Sequence, residues 1–244
     1  MAGEYKLVGT KTCRNERNDD MNSRQLNDSA KRSYKIVKNK SKTSSGHFFG
    51  GTTWSLPECK ICKEPIQQIL TLNVSEAALM KLENRIAEIP LFSCLNCSMF
   101  WDNQYFKVDF MNKAATILQQ DQEEIEQQDE EDRIASPLPL ISVALREASS
   151  RDNQTDDDTI DRLFSELGTD YIGRAFGKPI IAQDPLDLTC ISCSGEMSFI
   201  AQITGENDME SIFNEDVDFF FGETVLYFSL CPYCDVLKVE SQAI

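Results

Sequence analysis

The sequence predicts a fold of the α+β class that is mainly β: two tandem, related β-rich units, each with a four-cysteine site, joined by a helical, acidic linker. Three observations carry this reading. Eight of the nine cysteines fall in four Cys-x-x-Cys pairs, strand-length apolar runs flank those pairs, and both halves present the same features in the same order.

The chain has 244 residues, 41% of them hydrophobic, enough for one large domain or two small ones. Residues 1–45 hold eleven Lys/Arg against five Asp/Glu, a net of +6, while the whole chain carries −16 and the rest therefore −22. This first stretch is rich in Lys, Arg, Asn and Ser and poor in aliphatics, so it reads as a basic, mostly disordered tail in which Tyr34–Val37 forms a short strand.

Residues 46–112 form the first unit. Inside it, Leu79, Leu82, Ile86 and Ile89 share one helical face, with Ser75 as a cap and Pro90 as the stop, which predicts a helix over 75–89. Residues 113–169 form the linker. Its stretch 119–132 contains eight Asp/Glu and five Gln with no Lys or Arg, a self-repelling spacer. Farther on, Asp158 caps a short helix striped by Ile160, Leu163, Phe164 and Leu167 and stopped at Gly168. Residues 170–244 form the second unit, with strands at Met197–Ile203 and Thr224–Leu230.

The internal repeat aligns Phe49-Gly50 with Phe176-Gly177, Cys59/Cys62 with Cys190/Cys193, Ile66–Leu72 with Met197–Ile203, and Cys94/Cys97 with Cys231/Cys234. Each unit then ends on a strand-like tail, Phe106–Val108 and Leu237–Val239. A few loop insertions account for the drift in spacing between the two copies.

A Cys-x-x-Cys turn presents two sulfurs on one side, and two such turns facing each other supply a tetrahedral thiolate set for Zn²⁺. Cys59, Cys62, Cys94 and Cys97 make one zinc-ribbon-like set; Cys190, Cys193, Cys231 and Cys234 make the other. The expectation is two structural zinc ions, since four protein ligands leave no position for a substrate. A thioredoxin-like redox pair, disulfides and iron–sulfur ligation use the same residues. The first fits four strand–turn pairs poorly, and disulfides lack an export signal. Iron–sulfur ligation is not separated from zinc by spacing. Pairing of cysteines across units also stays open.

The start, Met-Ala-Gly-Glu-Tyr-Lys, lacks a signal-peptide pattern, and no run approaches the ~18 apolar residues that would cross a bilayer. A cytoplasmic protein that does not engage membranes is expected. Cys13 has no partner in sequence, and His47, the only histidine, lies in an expected loop. With one histidine, no Gly-rich phosphate loop and no G-x-S-x-G, nothing points to catalysis. Trp54 and Trp101 flank the cysteine pairs and read as core residues covering them.

The run Gly177-Lys178-Pro179-Ile180-Ile181-Ala182-Gln183, with Cys190/Cys193, Met197–Ile203 and Gly222–Phe228 before Cys231/Cys234, resembles the YwqG-like family of unknown function. It is also similar to the programmed cell death 2 family, and the first unit carries the same order through Phe49-Gly50-Gly51, Trp54 and its four cysteines. The sequence departs from that pattern at Ile181, where a Trp is expected, at Thr52, where a Pro is expected, and at Thr71, which stands where Gln202 stands in the second unit. The resemblance covers about 46–108 and 173–240 and implies a β-rich, non-enzymatic protein; programmed cell death 2 relatives chaperone a basic small-subunit ribosomal protein. Two functional expectations follow. One is a protein-interaction module, chaperone or inhibitor of a basic client. The other is a nucleic-acid-binding zinc ribbon, in which the tail contributes weak, salt-sensitive binding.

Overall fold

The computed structural model describes residues 32–41, 46–74, 86–97, 103–120, 133–134, 136–153, 162–163, 166–167, 171–204 and 224–243. Eleven strands form one antiparallel sheet. They are β1 (Tyr34–Lys38), β2 (His47–Phe49), β3 (Gln67–Asn73), β4 (Glu88–Ser93), β5 (Gln104–Asp109), β6 (Ala114–Gln119), β7 (Ile141–Glu147), β8 (Tyr171–Ala175), β9 (Ser198–Thr204), β10 (Thr224–Leu230) and β11 (Val236–Ala243). Their spatial order is β4-β3-β2-β7-β1-β8-β9-β10-β11-β5-β6.

Strand β10 is buried along its whole length, with both of its faces covered. In β10, Leu226, Phe228 and Leu230 enter the main core, while Val225 and Tyr227 pack on the opposite face with Phe199, Ile181, Ala182 and Leu186. That is the two-residue alternation of a pleated strand, here with burial on either side. Removing a fully buried aromatic such as Phe228 is expected to cost about 3–5 kcal/mol.

The sheet curls, so its ends approach. Ser55, after β2, donates to the carbonyl of Lys113, just before β6, at 2.8 Å and accepts from the amide of Ala115 on β6 at 3.0 Å. Phe92 on β4 meets Phe106 on β5 edge-to-face at 5.0 Å, and Gln104 Nε2 donates to Ser93 Oγ at 3.3 Å. Side chains thus close the seam between β4 and β5, where no backbone ladder runs among the described residues.

The two halves share registers. Phe48 and Phe49 pair with Thr71 and Leu70 as Arg174 and Ala175 pair with Gln202 and Ala201. The β3–β4 ladder skips Ile69, and the β9–β10 ladder skips Ile200. Strands β1 and β7 are exchanged: β7 meets β2 through Phe48↔Ser142 and Phe49↔Ile141, and β1 meets β8 through Lys35↔Arg174 and Tyr34↔Ala175. The hydrogen bonds shift the motif alignment by one residue. Gly50 donates to Ile69 O and Phe176 donates to Ile200 O, so Gly50-Gly51 corresponds to Phe176-Gly177.

Three sequence expectations change. Ile89 and Pro90 lie in strand β4 rather than at a helix end, and Pro90 is accommodated because β4 is the outermost strand. Residues 75–85 of that expected helix lie outside the described residues. The linker is not a helical spacer where it is described: it supplies β6 and β7, and helical backbone occurs at 162–163 and 166–167, with Leu163 buried against Tyr171 and Ile180. His47 sits fully buried on β2, its Nδ1 accepting the Asn73 amide at 2.9 Å, and belongs to no loop or metal site. The Tyr34–Val37 strand is present and lies mid-sheet. The 119–132 run beyond Gln120 lies outside the described residues.

Candidate metal centres

Both first pairs sit in turns of one design. Cys59 N donates to Glu64 O at 2.8 Å and Lys63 N to Cys59 O at 3.1 Å; Cys190 N donates to Gly195 O at 2.9 Å and Ser194 N to Cys190 O at 2.8 Å. Lys63 and Ser194 both take positive φ, 65° and 57°, which turns the chain back after the second cysteine. Bridges Glu58↔Pro65 and Thr189↔Glu196 close the turns, and β3 and β9 follow.

The second pairs differ. Cys231 and Cys234 occupy the turn between β10 and β11, where Cys231 N donates to Val236 O at 2.8 Å. Cys94 follows β4 and leads into a 3₁₀ turn, Leu95–Cys97. That turn is tied down by side chains. Leu95 N donates to Gln67 Oε1 at 3.0 Å, and Asn96 exchanges hydrogen bonds with Ile134.

All eight expected ligands converge into the two expected tetrads, within units and not across them. In each, the sulfurs lie within 4.8 Å of one another. Separations are 3.5 Å for Cys62–Cys94 and 4.0 Å for Cys59–Cys97 in centre one; in centre two they are 3.3 Å for Cys190–Cys234, 3.6 Å for Cys193–Cys231, 3.7 Å for Cys193–Cys234 and 3.3 Å for Cys231–Cys234. A tetrahedron of thiolates at ~2.3 Å from one ion has edges of about 3.8 Å, so each tetrad fits a single metal ion. A polynuclear iron–sulfur cluster would have to place its own atoms between these sulfurs, and the tetrads have no such space. None of the eight is in a disulfide.

Crowded thiols in one pocket compete for protons. Hydrogen bonds from Cys94 and Cys97 outweigh burial and pull Cys59 down to about 2, while Cys94 is pushed far up by its bonding to Cys59 and Cys97 and by burial. In centre two, bonding to Cys234 lowers Cys231 to about 5, and Cys234 is driven up by Cys231. One thiolate per tetrad is thus favoured by the fold alone. A divalent cation supplies the charge that ionises the rest.

Centre one has a further shell. Gln120 Nε2 donates to Cys59 Sγ at 3.4 Å and to Gln104 Oε1 at 3.2 Å, while its Oε1 accepts the Lys60 amide at 2.9 Å. Next to Gln104, Tyr105 packs with Cys190, Cys231 and Cys234, so neighbouring residues of β5 face different centres. Lys107 Nζ donates to the Cys234 carbonyl at 2.5 Å. Sequence reasoning missed Gln120 because it opens a run of acidic and Gln residues that reads as spacer. Only its buried position, 3% exposed, separates it from that run.

Trp54 lies in the core that includes Cys59, as expected; its amide donates to Gln68 Oε1 at 3.0 Å and its Nε1 to Glu88 at 2.6 Å. The corresponding bond in the second half runs from Ile180 N to Gln202 Oε1 at 2.7 Å. Thr71, which replaces Gln202 by register, holds the Gln68 amide at 2.8 Å, so a Gln–Thr pair does the work of one Gln. Cys13 and Trp101 lie outside the described residues. Among the described residues, no helix is long and apolar enough to cross a membrane. No family model, curated protein or solved structure matches the chain.

Proposed function

We propose that the chain is a cytoplasmic, non-enzymatic protein-interaction module held together by two structural Zn²⁺ ions, acting as chaperone or inhibitor of a basic client. The observation that supports it best is the pair of closed tetrads: four cysteine sulfurs around each centre complete a tetrahedral shell and leave no position for a substrate. Zinc is the favoured occupant because all-thiolate tetrahedral sites suit it and need no redox chemistry. The −22 carried outside residues 1–45 favours a Lys/Arg-rich partner. The motif order shared with the programmed cell death 2 family is in keeping with this role. Affinity capture from cells at low and high salt tests it. Recovery of a basic protein that salt releases is expected; repeated recovery of none counts against the reading.

Nucleic-acid binding through the tail has less to draw on than charge alone suggests. Of its +6, five charges lie in residues 32–45, and Lys35 there is paired with Asp152 at 2.9 Å inside the sheet. Retention of RNA or DNA binding after deletion of residues 1–31 would revive this second reading.

A further inference from the structure

The two centres differ in how they are covered. In centre one, Cys59, Cys94 and Cys97 are at most 1% exposed and Cys62 is half-buried. In centre two, Cys193 is exposed. The cause is readable residue by residue. Cys62 is flanked by Ile61, which packs on the core, and by Lys63 and Glu64. At the matching positions Cys193 is flanked by Ser192, Ser194 and Gly195. A Cβ on Gly195 would lie 3.3 Å from Cys193 Sγ and 3.5 Å from the Tyr233 ring, so the missing side chain leaves that sulfur open.

Building on the zinc-binding reading, we infer that Cys193 is a modification site: it is the point where hydrogen peroxide oxidises the metal-loaded protein. The Cys193 thiolate displaces hydroxide from the peroxide O–O bond and becomes a sulfenic acid. A neighbouring thiolate, Cys231 at 3.6 Å or Cys234 at 3.7 Å, then attacks the Cys193 sulfur, forming the S–S bond and expelling a second hydroxide. Two electrons pass from the sulfurs to the peroxide, both hydroxides take protons from the buffer to become water, and the ion leaves a centre stripped of two thiolates. Centre one has no comparably open sulfur and keeps its ion.

The test uses the full chain loaded with zinc and treated with limiting hydrogen peroxide. Released zinc is followed with a chromogenic chelator, and the first disulfide is mapped by differential alkylation and mass spectrometry. One equivalent is expected to leave at least about tenfold faster than the second, with Cys193 in the first disulfide. Gly195→Ala, which sets a methyl against the Cys193 sulfur while keeping all four ligands, is expected to keep two zinc ions and slow that first release about threefold or more. Release of both equivalents at one rate, a first disulfide among Cys59, Cys62, Cys94 and Cys97, or an unchanged rate in Gly195→Ala would overturn the inference while leaving zinc binding intact. Protein that holds fewer than two ions before peroxide is added would instead overturn the zinc reading beneath it.

Discussion

Gln120 places its side-chain amide 3.4 Å from the sulfur of Cys59 and, through its carbonyl oxygen, takes the amide of Lys60 next door. An N–H aimed at a thiolate lowers its basicity, orients its lone pairs and holds the turn in place. Gln120→Ala is expected to weaken metal at centre one by about tenfold and to leave centre two unchanged. Competition with a chelator of known affinity, with each centre read separately in variants lacking the other, checks this.

Each tetrad is expected to behave as a unit. Cys59→Ser or Cys94→Ser should each lower bound zinc from two ions to one, and combining them should lower it no further. Cys190→Ser combined with Cys94→Ser should remove both ions. Metal analysis of the purified variants decides it; a double variant within one tetrad that loses both ions would show pairing across units.

Asp152 joins strands that are far apart in sequence. Burial alone would raise its carboxyl, but hydrogen bonds from Lys35, Ser149 and Arg162 hold it well below the usual carboxylate range. Its folded value is therefore below its unfolded value of about 3.9, so its contribution is full above that pH and is lost as pH falls toward the folded value. Asp152→Asn should cost about 3 kcal/mol at pH 7, since Lys35 loses its carboxylate and Arg162 keeps only Glu166, and the difference from wild type should shrink below about pH 4. Urea titrations at matched metal content measure both.

Gly177 takes a φ of +65°, and a Cβ there would lie 2.9 Å from the backbone nitrogen of Ser33, the residue leading into β1. Gly177→Ala is expected to lower Tm by about 5–10 °C, because strained backbone and a backbone clash act together. Thermal unfolding by circular dichroism reads this out.

Deleting residues 1–31 should leave both zinc ions bound and the fold intact. Deleting 1–45 removes β1, the strand between β7 and β8, and should abolish cooperative unfolding. Metal content and a melting curve of the two truncations separate the outcomes.

The cysteine tetrads were legible in the sequence because ligand spacing is a local property: two residues between sulfurs set a turn whatever surrounds it. The strands flanking them were legible for the same reason. Pro90 misled because Leu79, Leu82, Ile86 and Ile89 fit a helical period, and only the edge position of β4 makes Pro90 compatible with a strand. Strand exchange left no local trace. Nothing in Tyr34–Lys38 or Ile141–Glu147 names its neighbours, and β5 joins β11 through pairs such as Phe106↔Leu237 that only the closed sheet reveals.

The pairing of β5 with β11 also governs how the protein is made. Synthesis delivers all four cysteines of centre one early, yet the strand that faces that centre with Gln104 waits for Val236–Ala243, the last of the described strands in chain order. Strand β2 waits likewise for β7. Truncation before Val236 therefore takes a partner from both β5 and β10, and so reaches both halves rather than sparing the first.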